Sequence, residues 1–340
     1  MKKQTPLLSA LVFMLAAVFL APAANAASTY SKTKYPIVMV HGAFGFDSIL
    51  GIVDYWYFIT SNMRNRGANV YVVSMSDAAL HEKRGEELRG DIRQILALSG
   101  ASKVNIIAHS QGATAARYVA ALEPQWIASI SCAHCMNEGT QFADGFLKTL
   151  DSIGIGGQIV DSGVTLLLEL LQLVSGPGSD GGYNSPLRVD QSMLDLAKGS
   201  SHAVSYVPFN ATYPTGMPAY KCWNDNGGRN GPGSTLAKAS GPATANGIAF
   251  YSWGGNDPYT ALLDPFDSIV IPITFEFFDG AVKWDGLVPT CGMALGKALR
   301  LNYKANHYDA INHALAITAF GMNIPSIYYT HANRLKGAGL

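Results

Sequence analysis

The segment from Lys103 to Gly112 limits what this chain can fold into more than any other. An uncharged run, Val104-Asn-Ile-Ile-Ala108, ends in His109-Ser110-Gln111-Gly112, and helical spacing begins at once over Gln111 to Leu122. A buried strand that turns straight into a helix belongs in a parallel sheet whose two faces are both covered. The turn is so sharp that side chains two residues either side of the serine crowd each other, and Ala108 and Gly112 are small enough to allow it. Ser110 then stands at a helix N-terminus, where backbone N–H groups and the helix dipole favour developing negative charge. The competing reading is a serine that simply caps a helix.

The surrounding pattern agrees with such a sheet. Tyr35 to Val40 reads as a buried strand running into the glycine-rich turn His41-Gly42-Ala43-Phe44-Gly45, and Asn69 to Met75 reads as a second strand. Glu86 to Leu98 has helical spacing, with Leu88, Ile92, Ile95 and Leu96 on one side. The helix after Ser110 stops near Pro124, Ile127 to Ser131 follows as a strand, Ile248 to Trp253 is another, and Ala314 to Ala319 lies in a helix. Between these, Val164 to Val174 is almost wholly apolar and is followed by the glycine- and serine-rich stretch 175–182. No internal repeat or linker divides the chain, so one domain with an insertion over about 144–195 is expected.

A strand–serine–helix elbow preceded by a His-Gly turn is the arrangement of the α/β-hydrolases. In these proteins the backbone N–H groups of Ala43 and Gln111 would form the oxyanion hole, and the remaining partners follow in the order acid, then histidine. Of the eight histidines, His202, His307, His313 and His331 lie well beyond the elbow and its flanking strand. His307, in the polar stretch Asn306-His-Tyr-Asp309, is placed on a loop, whereas His313 and His331 fall at helical spacing. Asp285 stands at a tight turn before His307, with Asp279 and Asp264 as competitors.

Positive and negative side chains balance at 24 each and no basic stripe is present, which excludes a nucleic-acid partner. Lys2 and Lys3, the apolar run Leu7 to Leu20 and the small residues Ala24-Asn25-Ala26 form a signal peptide over 1–26. The mature domain is then 27–340, secreted through the periplasm. An exported chain meets oxidising conditions, so its four cysteines can support a disulfide. Cys132 and Cys135 have the spacing of a metal or redox pair, but no second pair lies close by. Strand alternation would hold their side chains on opposite faces, as free or labile thiols.

The chain resembles the foldase-dependent bacterial triacylglycerol lipases of the Pseudomonas and Burkholderia type. The resemblance spans nearly the whole mature chain. It rests on Tyr35-Pro-Ile-Val-Met-Val-His-Gly42, Asp54-Tyr-Trp-Tyr57, Arg84-Gly-Glu-Glu-Leu88, Val104 to Gly112, Arg117-Tyr-Val-Ala120, Tyr251-Ser-Trp253, Asn306 to Asp309 and Thr330 to Lys336. It implies an α/β-hydrolase fold, a mostly parallel central sheet with helices on both faces and a helical lid in the insertion. It implies Ser110, Asp285 and His307 as a catalytic triad with Ala43 and Gln111 as oxyanion donors, acting on lipid esters at a lipid–water interface. It further implies a structural calcium ion held by Asp264 and Asp309 and by the backbone carbonyls of His313 and Ile317, and a disulfide between Cys222 and Cys291. A membrane-anchored foldase chaperone is the implied partner. A carboxylesterase or an aliphatic polyester hydrolase would use the same chemistry, and a non-catalytic binding protein could keep the same fold. Ala108 and Ala113 are small departures from the family's glycines. A larger one is His134-Cys-Met-Asn-Glu-Gly139, where the family commonly carries G-[TA]-P-H-[RK]-G.

Overall fold

The computed structural model describes residues 28–43, 48–49, 53–76, 79–137, 139–153, 215, 244–264, 266–275, 277–278 and 283–340. The leader, His202, Asp279, Cys222, the apolar stretch Val164 to Val174 and the glycine-rich stretch after it lie outside these residues, as does the insertion beyond 153.

The elements in chain order are β1 (Ile37–Val40), the short strands β2 (Ser48–Ile49) and β3 (Val53–Asp54), α1 (Ile59–Arg64), β4 (Val70–Val73), α2 (His81–Ser99), β5 (Val104–His109), α3 (Gly112–Leu122) and β6 (Ile127–Ala133). They continue with α4 (Gln141–Ile153), β7 (Thr244–Ala245), β8 (Ile248–Gly255), α5 (Ile271–Phe275), β9 (Lys297–Tyr303), α6 (His313–Ala316) and α7 (Ile324–Gly337). Among the described residues the main sheet has the order β4-β1-β5-β6-β8, and both β7 and β9 pair with β8. Every pairing in it is parallel except β7 with β8.

Residues along each central strand alternate between two cores, as strand geometry requires. Val38, Val40, Ile106, Ala108 and Ile130 face the first, which α2 covers with Leu88 and Ile92 and α3 with Ala116 and Val119. Ile37, Met39, Ile107 and Ala133 face the second, which α1 covers with Ile59 and Met63 and α7 with Tyr328 and Ala332. These central strands carry no charged residue and are mostly apolar because both faces are buried. The result is the expected α/β architecture.

Two elements depart from the sequence reading. The helix expected over Ala314 to Ala319 is the single turn α6, because Leu315 and Ala316 adopt left-handed backbone with φ of 57° and 65° and end the helical ladder. β9 was not anticipated: its sequence, Lys-Ala-Leu-Arg-Leu-Asn-Tyr, lies mostly on the surface and lacks an apolar run. Because the strands run parallel, Val40, His109, Ala133, Gly255 and Tyr303 all end at one edge of the sheet. The loops leaving that edge carry the candidate chemistry, as they do in open α/β sheets generally.

Candidate active site

Ser110 has a φ of 55°, the strained backbone of a tight elbow, and is almost fully buried. The crowding inferred from sequence is real. A Cβ on Gly112 would come within 2.5 Å of the His41 carbonyl oxygen, and one on Gly42 within 2.6 Å of the Ser110 Cβ. The His-Gly turn therefore passes directly over the serine. Gln111, one expected oxyanion residue, follows Ser110 as the N-cap of α3, and Ala43, the other, directly follows Gly42 in the turn.

His307 arrives from the loop after β9, and its Nε2 lies 3.0 Å from Ser110 Oγ. Its Nδ1 lies 2.8 Å from Asp285 Oδ2. A carboxylate only accepts, so Nδ1 carries the proton and Nε2 is left to accept from the serine. The backbone repeats the link, for His307 N–H donates to the Asp285 carbonyl at 2.8 Å. Of the three acids considered, Asp285 is thus the one beside His307, and Asp264 belongs to another cluster. Asp285 is fully buried. Burial alone would raise its carboxyl, but its electrostatic interaction with His307 and hydrogen bonds from His134 and His307 outweigh it and hold it well below the ordinary carboxylate range. The carboxylate therefore stays ionised at working pH.

Besides the elbow's own His109, three buried residues support this line, and sequence reasoning gave none of the three a role. Arg84 on α2 donates to the carbonyls of His41 (2.9 Å) and Gly42 (2.8 Å) and to Gln111 Oε1 (2.8 Å), tying the turn over the serine to the elbow. Tyr55 accepts from Gly42 N–H at 3.0 Å and meets His109 Nδ1 at 2.6 Å, while His109 Nε2 reaches the His307 carbonyl at 3.1 Å. A continuous chain thus joins the turn over the serine to the histidine loop. Burial lowers the His109 imidazole well below its usual value, so it takes part as a neutral ring. The third is His134, whose Nδ1 lies 2.9 Å from the same Asp285 Oδ2 that binds His307. Arg84 and Tyr55 stood inside stretches carrying the family resemblance, and His134 inside its main departure; partners so far apart in sequence leave no local signal.

The expected calcium residues lie just beyond. Asn306 Nδ2 donates to Asp264 Oδ2 (2.8 Å) and to Asp267 Oδ1 (2.9 Å), and Asn306 N–H donates to Asp309 Oδ2 (3.0 Å). One amide residue thus gathers three buried acids, of which Asp267 was not anticipated. Among the described residues Asp309 Oδ1 is buried with no hydrogen-bond partner. Burial pushes the Asp309 carboxyl up to about 7, with Asp264 and Asp267 adding to the rise. An oxygen-only donor set with excess negative charge fits a hard divalent cation. His313 opens α6 and Ile317 directly follows it, in the turn whose backbone is left-handed.

Cys132 and Cys135 are free and buried. The alternation argument for separating them fails, because β6 ends at Ala133 and His134 turns with a φ of 49°. Cys135 comes back against Cys132 and donates to the Ala108 carbonyl at 3.3 Å. Burial and the neighbouring thiol raise its pKa, which makes it a poor nucleophile. Cys291 is disulfide-bonded.

The fold is that of the α/β-hydrolases, with Ser110, His307 and Asp285 in one hydrogen-bonded line at the sheet edge. A family model described as alpha/beta hydrolase fold matches residues 35–144. A triacylglycerol lipase from Vibrio cholerae serotype O1 is 36% identical over 312 residues, covering 92% of this chain and 90% of that protein. One from Burkholderia plantarii is 33% identical over 351 residues, covering 94% and 90%. Among solved structures, a Staphylococcus hyicus lipase superposes with a TM-score of 0.55 at 16% identity, over 90% of this chain and 97% of that one, a likeness of fold. The chain belongs to the bacterial triacylglycerol lipase family. It is an enzyme that hydrolyses carboxylic esters.

Proposed function

We propose that the chain is a secreted triacylglycerol lipase working through an acyl-enzyme. Ser110 Oγ attacks the ester carbonyl carbon as His307 Nε2 takes its proton, and Asp285 holds the resulting imidazolium in plane. The tetrahedral oxyanion receives hydrogen bonds from the Ala43 and Gln111 N–H groups. Collapse breaks the ester C–O bond, and the alcohol leaves with the proton from His307. Water, deprotonated by the same nitrogen, then releases the fatty acid and restores the serine.

The observation that carries this reading is the unbroken line from Ser110 Oγ through His307 to Asp285, set on a strained elbow beneath Gly42. Substrate class is the finer step, and it rests on similarity to lipases. It is tested by comparing hydrolysis of emulsified long-chain triglyceride with that of dissolved short-chain esters. A lipase shows higher turnover on the emulsion. Activity confined to dissolved esters would make the chain a carboxylesterase, and activity on polyester films would point to that substrate instead.

The reading extends to the surroundings of the site. Asp264 and Asp309, with the carbonyls of His313 and Ile317, would hold a calcium ion that supplies structural rigidity and takes no part in bond making. Cys291 would pair with Cys222. The signal peptide would direct export, and folding would depend on a membrane-anchored foldase. A lid would lie within 144–195.

A further inference from the structure

We propose that His134 is a positioning residue of this enzyme, a second imidazole that fixes the carboxylate of the triad. The proposal rests on the triad reading above.

Both His134 Nδ1 (2.9 Å) and His307 Nδ1 (2.8 Å) point at one oxygen, Asp285 Oδ2. The other oxygen, Oδ1, accepts from the backbone N–H groups of Leu287 (3.1 Å) and Val288 (2.8 Å). Four donors saturate the carboxylate, so it cannot rotate without breaking one of them. A triad works only when the acid's oxygen stays in the plane of the catalytic imidazole. With two donors on Oδ1 and only His307 on Oδ2, the second oxygen could follow any movement of that ring; His134 adds a second, independent donor to it.

The position is built for the ring. His134 N–H donates to the Trp253 carbonyl at 2.9 Å, which anchors the residue to the end of β8. Its Cε1 lies where a Cβ on Gly255 would come within 2.7 Å, so the glycine leaves room for the imidazole as well as for the passing Ala305 backbone. The side chain is 2% exposed, and the ring meets the His307 ring edge-on at 6.4 Å. A left-handed φ of 49° is uncommon for any residue but glycine, and histidine is among the few side chains that adopt it. The histidine is almost fully buried, and the one N–H of its neutral ring faces the catalytic acid.

The test uses His134→Gly, which suits the backbone and removes the donor, and His134→Asn, which tolerates the same φ and places its Nδ2 near the position of Nδ1. On a soluble ester, the glycine variant is expected to lose about tenfold in kcat with KM within about twofold, and the asparagine variant to recover most of the loss. In an Asp285→Asn background the glycine substitution should cost nothing more, since its effect passes through the carboxylate. Proton NMR of the wild type should show two low-field imidazole N–H resonances, and His134→Gly should keep one. Equal kcat in wild type and His134→Gly, additive losses in the double variant, or a loss that asparagine does not recover would overturn the proposal. Full activity of Asp285→Asn would instead overturn the triad beneath it.

Discussion

Arg84 shows how a residue that never meets substrate can govern the site. Its guanidinium is buried and bonds both the turn over the serine, at the His41 and Gly42 carbonyls, and the elbow, at the Gln111 side chain. Removing the guanidinium takes a donor from the His41 carbonyl and from Gln111 Oε1 in a dry environment, each costing about 1–3 kcal/mol, while the Gly42 carbonyl keeps His41 Nδ1. Arg84→Met is therefore expected to destabilise the protein by several kcal/mol and to lower kcat more than it raises KM, because the turn holding Ala43 loosens. A urea titration and steady-state kinetics on a soluble ester check this; a variant with wild-type stability and kcat would remove Arg84 from the account. None of this was legible beforehand. Ser110, Ala108 and Gly112 could be read from sequence because the elbow's steric demand falls on neighbours two residues away. His307 and Asp285 could be narrowed down by order along the chain. Arg84, Tyr55 and His134 could not, because they act on residues 42, 54 and 151 positions distant.

At the scale of elements, β1, β5 and α3 were readable because each is an apolar run or face bounded by small or turn residues. β9 escaped because its surface-facing residues hide the strand period, and α6 because a left-handed pair inside Ala-Leu-Ala has no compositional mark. That turn and the acids gathered by Asn306 bear on the proposed calcium. The ion would fasten the loop carrying His307 two residues before Asp309. Prolonged chelation should lower the melting temperature first and activity afterwards, with both restored by calcium and not by magnesium, whose tight octahedral demand suits carbonyl ligands poorly. Unchanged melting after chelation, with no calcium found by elemental analysis, would contradict the site. The insertion makes a second prediction at this scale. Val164 to Val174, outside the described residues, holds eight apolar residues in eleven. As a helix it would show leucine on every face and would need burial, which the proposed lid would find over the cleft when closed and against lipid when open, at about 25 cal/mol per Å². Replacing Leu167 and Leu171 with serine should impair hydrolysis of emulsified triglyceride much more than hydrolysis of a dissolved ester. Equal losses on both would mark an ordinary core helix.

The whole molecule buries several neutral histidines, and this sets its response to acid. Burial lowers His41 and His331 from 6.5 to about 3, with nearby Arg84 and Arg334 contributing. His41 Nε2 accepts from Met75 N–H, and His331 Nε2 pairs with the Ser131 hydroxyl. Between these pKa values the unfolded chain binds protons that the folded chain refuses. Their contribution is thus complete above pH 6.5 and is lost as pH falls towards 3, at up to about 1.4 kcal/mol per pH unit for each residue. Urea titrations at pH 7, 6 and 5 should show stability falling, and His331→Gln should flatten the slope; a flat profile in the wild type would contradict these protonation states. The central claim, that one strained serine on this sheet edge performs ester hydrolysis, has a more direct test. A p-nitrophenyl alkylphosphonate should release one equivalent of nitrophenolate per enzyme, abolish activity in step, and leave its phosphonyl group on Ser110 in the peptide map. Ser110→Ala should give neither burst nor adduct. Hydrolysis that persists with Ser110 fully modified, or an adduct on any other residue, would contradict the account.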